Sequence, residues 1–165
     1  MKTMALKADR YEESTDISFF YNEGTATRGG ALVLDSALAS GAAMDQGGNK
    51  VKYSQATGND VPVGILLNDV VNKDLTRTHL NQYKDEVQKG GKVTVLTRGW
   101  VVTNMIETGV DPAAGQIAYA SAAEAGDLTN VAPGSSGSLA VGRFMSQKDA
   151  DGYAKVYVNL PGIVS

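Results

Sequence analysis

The chain contains no cysteine, one histidine and one tryptophan among its 165 residues. Without cysteine there is no disulfide framework and no thiolate metal site, so folding rests on packing alone. With His79 as the sole histidine, a multi-histidine metal centre is excluded, and neither a Ser-His-Asp nor a Cys-His arrangement has a supported base. Neither sign of charge dominates. There are 15 basic and 18 acidic side chains, a net charge of −3 and no basic block, which leaves no electrostatic footprint for nucleic acid or anionic lipid. No window approaches the roughly 20 apolar residues of a membrane-spanning helix. The opening MKTMALKADRYEESTD turns polar where a signal peptide needs an apolar stretch. These absences predict a protein made in the cytoplasm, without cofactor or metal and without a nucleic-acid or membrane partner.

What the chain has in quantity is punctuation. Nineteen glycines and four prolines separate short runs rich in Val, Ile, Thr, Tyr and Phe, which is a β signature. Strands are expected at 17–22, 31–35, 50–54, 63–67, 92–97, 100–106, 117–120, 139–144 and 153–160. Nine strands in one domain mean a sandwich or a small barrel.

Within that pattern a phrase returns. GALVLDSALASG at 30–41 is answered by GQIAYASAAEAG at 115–126. Each is preceded by two glycines six apart, Gly24 and Gly30, then Gly109 and Gly115, and each of those follows an apolar strand. Pro62-Val63-Gly64-Ile65 faces Ala140-Val141-Gly142-Arg143, and GKVTVLTRG at 91–99 matches AKVYVNLPG at 154–162. Landmarks kept in order argue for two copies of one β unit, about 17–99 and 100–162, fused so that each covers the other's apolar face. Gly30, Gly64, Gly115 and Gly142 are read as structural turn glycines, placed where a missing Cβ permits positive φ, a bulge or close backbone approach. Pro62 is expected to begin a strand whose apolar run through Leu67 is core.

The copies differ by an insertion. Gly64 to Lys92 is 28 positions, whereas Gly142 to Lys155 is 13, so copy one carries about 72–90 in excess. Leu80, Tyr83 and Val87 could stripe a short helix closed by Gly90-Gly91, and a long polar loop is the alternative. Insertions of this length usually serve function or assembly, which makes His79 and Tyr83 candidate contacts, with His79 read as a surface or subunit-packing residue. Residues 1–16 read as a polar arm that orders on a partner or stays disordered, with Met4, Leu6 and Tyr11 as its candidate contacts. Phe19 and Phe20 must point to opposite faces of their strand, so Phe20 is either core or interface, as is Trp100. Carboxylate pairs such as Glu12-Glu13 and Asp149-Asp151 read as solvated charge. The glycine pairs lack the Lys-Ser/Thr of a phosphate loop.

The run VPVGILLNDVVNKDLTRTHLNQYKDEVQKGGKVTVLTRGWVVTNMI, followed by GVDPAAGQIAYAS and GDLTN, resembles the head decoration or cement proteins of tailed bacteriophages. A looser likeness to the lambda-type head decoration proteins lies in Pro62-Val63-Gly64-Ile65-Leu66 and a later Val-rich strand, although those proteins are smaller single units. The resemblance implies a β-barrel or β-tulip body on the outside of the virion shell, an N-terminal arm along the major capsid protein, and no catalytic residue. The implied work is mechanical. A molecule bridging capsomers adds contact area that exists only in the assembled, expanded shell, and a homotrimer, alternatively a dimer, gains from multivalency. A host- or glycan-binding module of the virion is the rival reading, and a carboxylate-dependent hydrolase stands behind it.

Overall fold

Alternation builds the molecule. In the strand Ala154–Asn159, Ala154, Val156 and Val158 are buried while Lys155, Tyr157 and Asn159 lie outward, the period of two that turns one face of a sheet to the core. The computed structural model describes residues 5–35, 49–53, 60–71, 86–88, 90–132 and 140–160. Among them there are twelve strands and no helix. These are β1 (Leu6–Asp16), β2 (Phe20–Tyr21), β3 (Thr25–Thr27), β4 (Ala31–Leu34), β5 (Lys50–Lys52) and β6 (Pro62–Val71). They continue with β7 (Glu86–Gln88), β8 (Lys92–Thr103), β9 (Ile117–Ala120), β10 (Leu128–Thr129), β11 (Ala140–Phe144) and β12 (Ala154–Asn159). The chain is all-β, as its composition predicts.

Strand β8 organises the rest. Its first half pairs with β6 and β2, and the order β8–β2–β5–β4–β6 returns to β8 to close a five-stranded barrel. Its second half pairs with β12, and β11, β9 and β10 continue outward from there. The same antiparallel pairings occur twice. In the first half of the chain β4 pairs with β6, β6 with β8 and β8 with β2; in the second, β9 pairs with β11, β11 with β12 and β12 with β8. Where β5 runs parallel to β2 in the first set, a single parallel bridge joins Ile106 to Leu128 in the second.

The interior follows this division. One cluster, with Tyr21, Leu32, Val51, Tyr53, Leu66, Val93 and Val95, fills the barrel. The other, with Val101, Ile106, Leu128, Val141, Phe144, Val156 and Val158, lies under the second set and takes in Ile65, Leu67 and Leu96. Pro62 opens β6, and Ile65, Leu66 and Leu67 are buried. The two sets meet at the turn before β4. There the buried Tyr53 hydroxyl accepts a 2.8 Å hydrogen bond from the Gly30 amide and donates a 2.8 Å bond to the Thr27 carbonyl. The Ala31 amide donates to the Gly126 carbonyl, and the Thr103 hydroxyl donates to that of Gly29.

Several expectations need correction. The segment 1–16, read as an arm, is over Leu6–Asp16 a strand antiparallel to β8. Its polar composition hid it, because a strand lying on a sheet edge needs backbone partners more than apolar side chains. Two strands expected at 92–97 and 100–106 are one, and the boundary drawn between copies at 99/100 falls inside it. Gly99 does not break the strand. A Cβ there would strike the Tyr11 carbonyl, so glycine is what lets β1 lie against β8. Residues 86–88, placed in a possible helix, form β7 on β3; residues 72–85 lie outside the described part. Of the turn glycines, Gly115 does occupy a turn with φ 93°. Gly30 sits in a bend against Tyr53 and Gly126. Gly64 and Gly142 instead lie within β6 and β11 beside register shifts, where a Cβ would strike the Leu96 and Tyr157 carbonyls.

Candidate interaction surface

Strand β1 is unusual among the described strands in how little of itself it hides. Its one strand partner among the described residues is β8, and Tyr11 to Thr15 are exposed without alternation. Leu6 is the exception, packing against the larger core cluster. The strand is held at its start by an ion pair, Lys7 Nζ to Asp149 Oδ2 at 2.9 Å, with the same ammonium 4.3 Å from the Tyr153 ring centroid. Asp149 is itself fixed by accepting hydrogen bonds from the Asp151 and Tyr153 amides. The hydrogen bond from Lys7, then that from the Tyr153 amide, hold the Asp149 carboxyl below its ordinary range, and the bond to Asp149 raises Lys7. Further along, Arg10 pairs with Glu12 at 2.6 Å and Arg98 with Glu13 at 3.9 Å.

Beside β1 the sheet carries a row that the sequence did not single out as a unit. Tyr11 lies directly opposite Trp100, Trp100 opposite Tyr157, Tyr157 opposite Arg143, and Arg143 opposite Ile117. Directly paired residues share a face, and all five are exposed or half-buried. The Lys155 ammonium lies 3.8 Å from the Trp100 ring centroid. Trp100 belongs to neither core cluster. The alternation in β12 could have flagged Tyr157 and Lys155, but only strand register brings them to Trp100 and Tyr11.

The remaining sequence candidates scatter. Phe20 is half-buried on β2, with the Lys92 ammonium 5.6 Å from its ring centroid, away from the row around Trp100. Met4, His79 and Tyr83 lie outside the described residues. Among the described residues no group of three or more His, Cys, Asp or Glu is placed to hold a metal ion.

Two comparisons bear on this geometry. A search of curated proteins finds no match. The family described as "Structural cement protein (E217 gp24/Pam3 gp6)" matches residues 12–159, from β1 to the end of β12. That span includes both sets of strands and, of the row, Trp100, Tyr157, Arg143 and Ile117; Tyr11 lies one residue before it. The chain therefore belongs to the phage structural cement protein family, whose place is in the virion capsid and whose role is to stabilise it.

Proposed function

We propose that this protein binds the outer surface of the expanded capsid as a homo-oligomer of three copies, or alternatively two, bridging neighbouring copies of the major capsid protein after synthesis in the host cytoplasm. Family membership over residues 12–159 supports the capsid role. The observation that carries the finer reading is β1. An eleven-residue strand exposed on seven positions contributes little apolar burial to its own chain, and its outward face, which carries the exposed Tyr11, is open to a neighbour in the assembly. Each bridging contact exists only in the assembled shell, so its free energy opposes rupture by linkage. Several copies joined on one oligomer engage several capsid sites at once, which raises avidity without new contacts.

The test is incubation with expanded, undecorated heads. Saturable binding that raises their resistance to heat or chelator supports the reading, and heads that saturate without gaining resistance refute it. Light scattering coupled to size exclusion reads the oligomer directly: a mass of three chains is expected, two is the alternative, and a monomer refutes the oligomeric part.

A further inference from the structure

We infer that the outward face of β1, β8 and β12 around Trp100 is a docking surface for an acidic stretch of the capsid protein, a reading that rests on the function proposed above and names its contact. Three aromatic side chains, Tyr11, Trp100 and Tyr157, stand directly opposite one another on adjacent strands, and Arg143 and Ile117 prolong the row. At the usual strand spacing the row runs about 19 Å across five strands. Tyr, Trp and Arg are the residues most enriched at the energetic centres of protein interfaces. Here they form one stripe at the sheet surface and fill neither core.

Charge selects the partner. Lys155 and Arg143 flank the aromatic rings, and neither has a carboxylate partner among the described residues: Lys155 lies over the Trp100 ring, and Arg143 donates to the Gly115 carbonyl. These two cations, on a chain of net charge −3, are matched by carboxylates approaching from outside, which steer docking and fix its register. A sugar is a poorer fit, because the ammonium of Lys155 already covers one face of the indole that a pyranose would stack on. Addition of a strand at the edge of β1 that no described strand pairs is a poorer fit too. That edge carries Lys7, Asp9, Arg10, Glu12 and Glu13 and three register shifts, the devices by which natural sheets block edge pairing. With the edge guarded, the face is the surface left to present.

The experiment measures binding of the full chain to expanded, undecorated heads for the wild type, Arg143→Glu, Lys155→Glu and the control Leu34→Ser on barrel strand β4. Circular dichroism and melting confirm each fold. Arg143 is exposed, so its reversal decides the matter if Lys155→Glu melts early. Each reversal is expected to weaken binding about tenfold or more, with Leu34→Ser unchanged and wild-type affinity falling as salt rises. If the wild type binds and both reversals bind equally well, the docking surface is overturned. It is overturned too if the reversals alter only the oligomer mass, marking a self-interface, or only binding to host surface polysaccharide. Heads that do not bind the wild type at all refute the proposed function itself.

Discussion

Replacing Tyr53 by Phe isolates one oxygen atom at the junction of the two strand sets. The hydroxyl accepts from the Gly30 amide and donates to the Thr27 carbonyl, each at 2.8 Å and buried. The ring keeps its place in the variant, edge-on to Tyr21 at 5.9 Å between centroids and over Gly126. Packing is therefore preserved while a buried N–H loses its acceptor and a buried C=O a donor. Losing two hydrogen bonds at roughly 1–1.5 kcal/mol each, with desolvated groups left behind, gives about 2–3 kcal/mol of destabilisation. For a domain of this size that lowers Tm by about 5–10 °C. Thermal and urea unfolding read it, with Tyr11→Phe at an exposed site as the control expected within about 0.5 kcal/mol of wild type. A Tyr53→Phe protein as stable as the control would mean that the turn relaxes to find other partners, and the idea that this hydroxyl holds the turn before β4, through which the strand sets meet, would fall.

Other outcomes follow from the same geometry. Gly142→Ala forces a Cβ into the Tyr157 carbonyl, backbone that cannot swing aside, and should cost about 1–3 kcal/mol or more in urea unfolding; Gly109→Ala, which meets open space but holds φ 81°, should lose only about 1 kcal/mol. For the clamp on β1 the sign is set by the directions of the two shifts. Asp149 lies below its ordinary 3.8 when folded, so its contribution is present above that value and is lost as pH falls through the lowered one. Lys7 lies above its ordinary 10.5, so its contribution is present below that value and is lost as pH rises through the raised one. Wild type and Asp149→Asn should therefore differ in melting at neutral pH and converge in strong acid, and curves that stay parallel throughout would refute the clamp. Deleting residues 1–16 bares the edge of β8 over residues 95–103, so the truncated chain should melt lower and aggregate, where a dispensable arm would leave melting unchanged.

Much of the fold was legible because β-sheets write their period into the chain. Residues 117–120 were read as the strand that β9 is, and Pro62 marked the start of β6 because proline cannot donate into a ladder. Gly99 misled for a physical reason: glycine signals a turn and a close approach equally well, and only the position of β1 shows which applies. Gly64 and Gly142, named as turn glycines, lie inside β6 and β11 beside register shifts and against backbone carbonyls. Strand β1 was missed because LKADRYEESTD carries almost no apolar alternation, and its order comes from backbone pairing with β8.

By itself the sequence determined the all-β class, the order of landmarks that recurs along the chain and the lack of thiol or multi-histidine chemistry, because composition and short-range period act within a few residues. Tertiary structure alone decided that β8 serves both strand sets, that β1 completes its edge, and that Tyr11, Trp100, Tyr157, Arg143 and Ile117 share one row. Those residues lie far apart in the chain, and what aligns them is register between distant strands, a property of hydrogen-bonded pairs that no single strand carries.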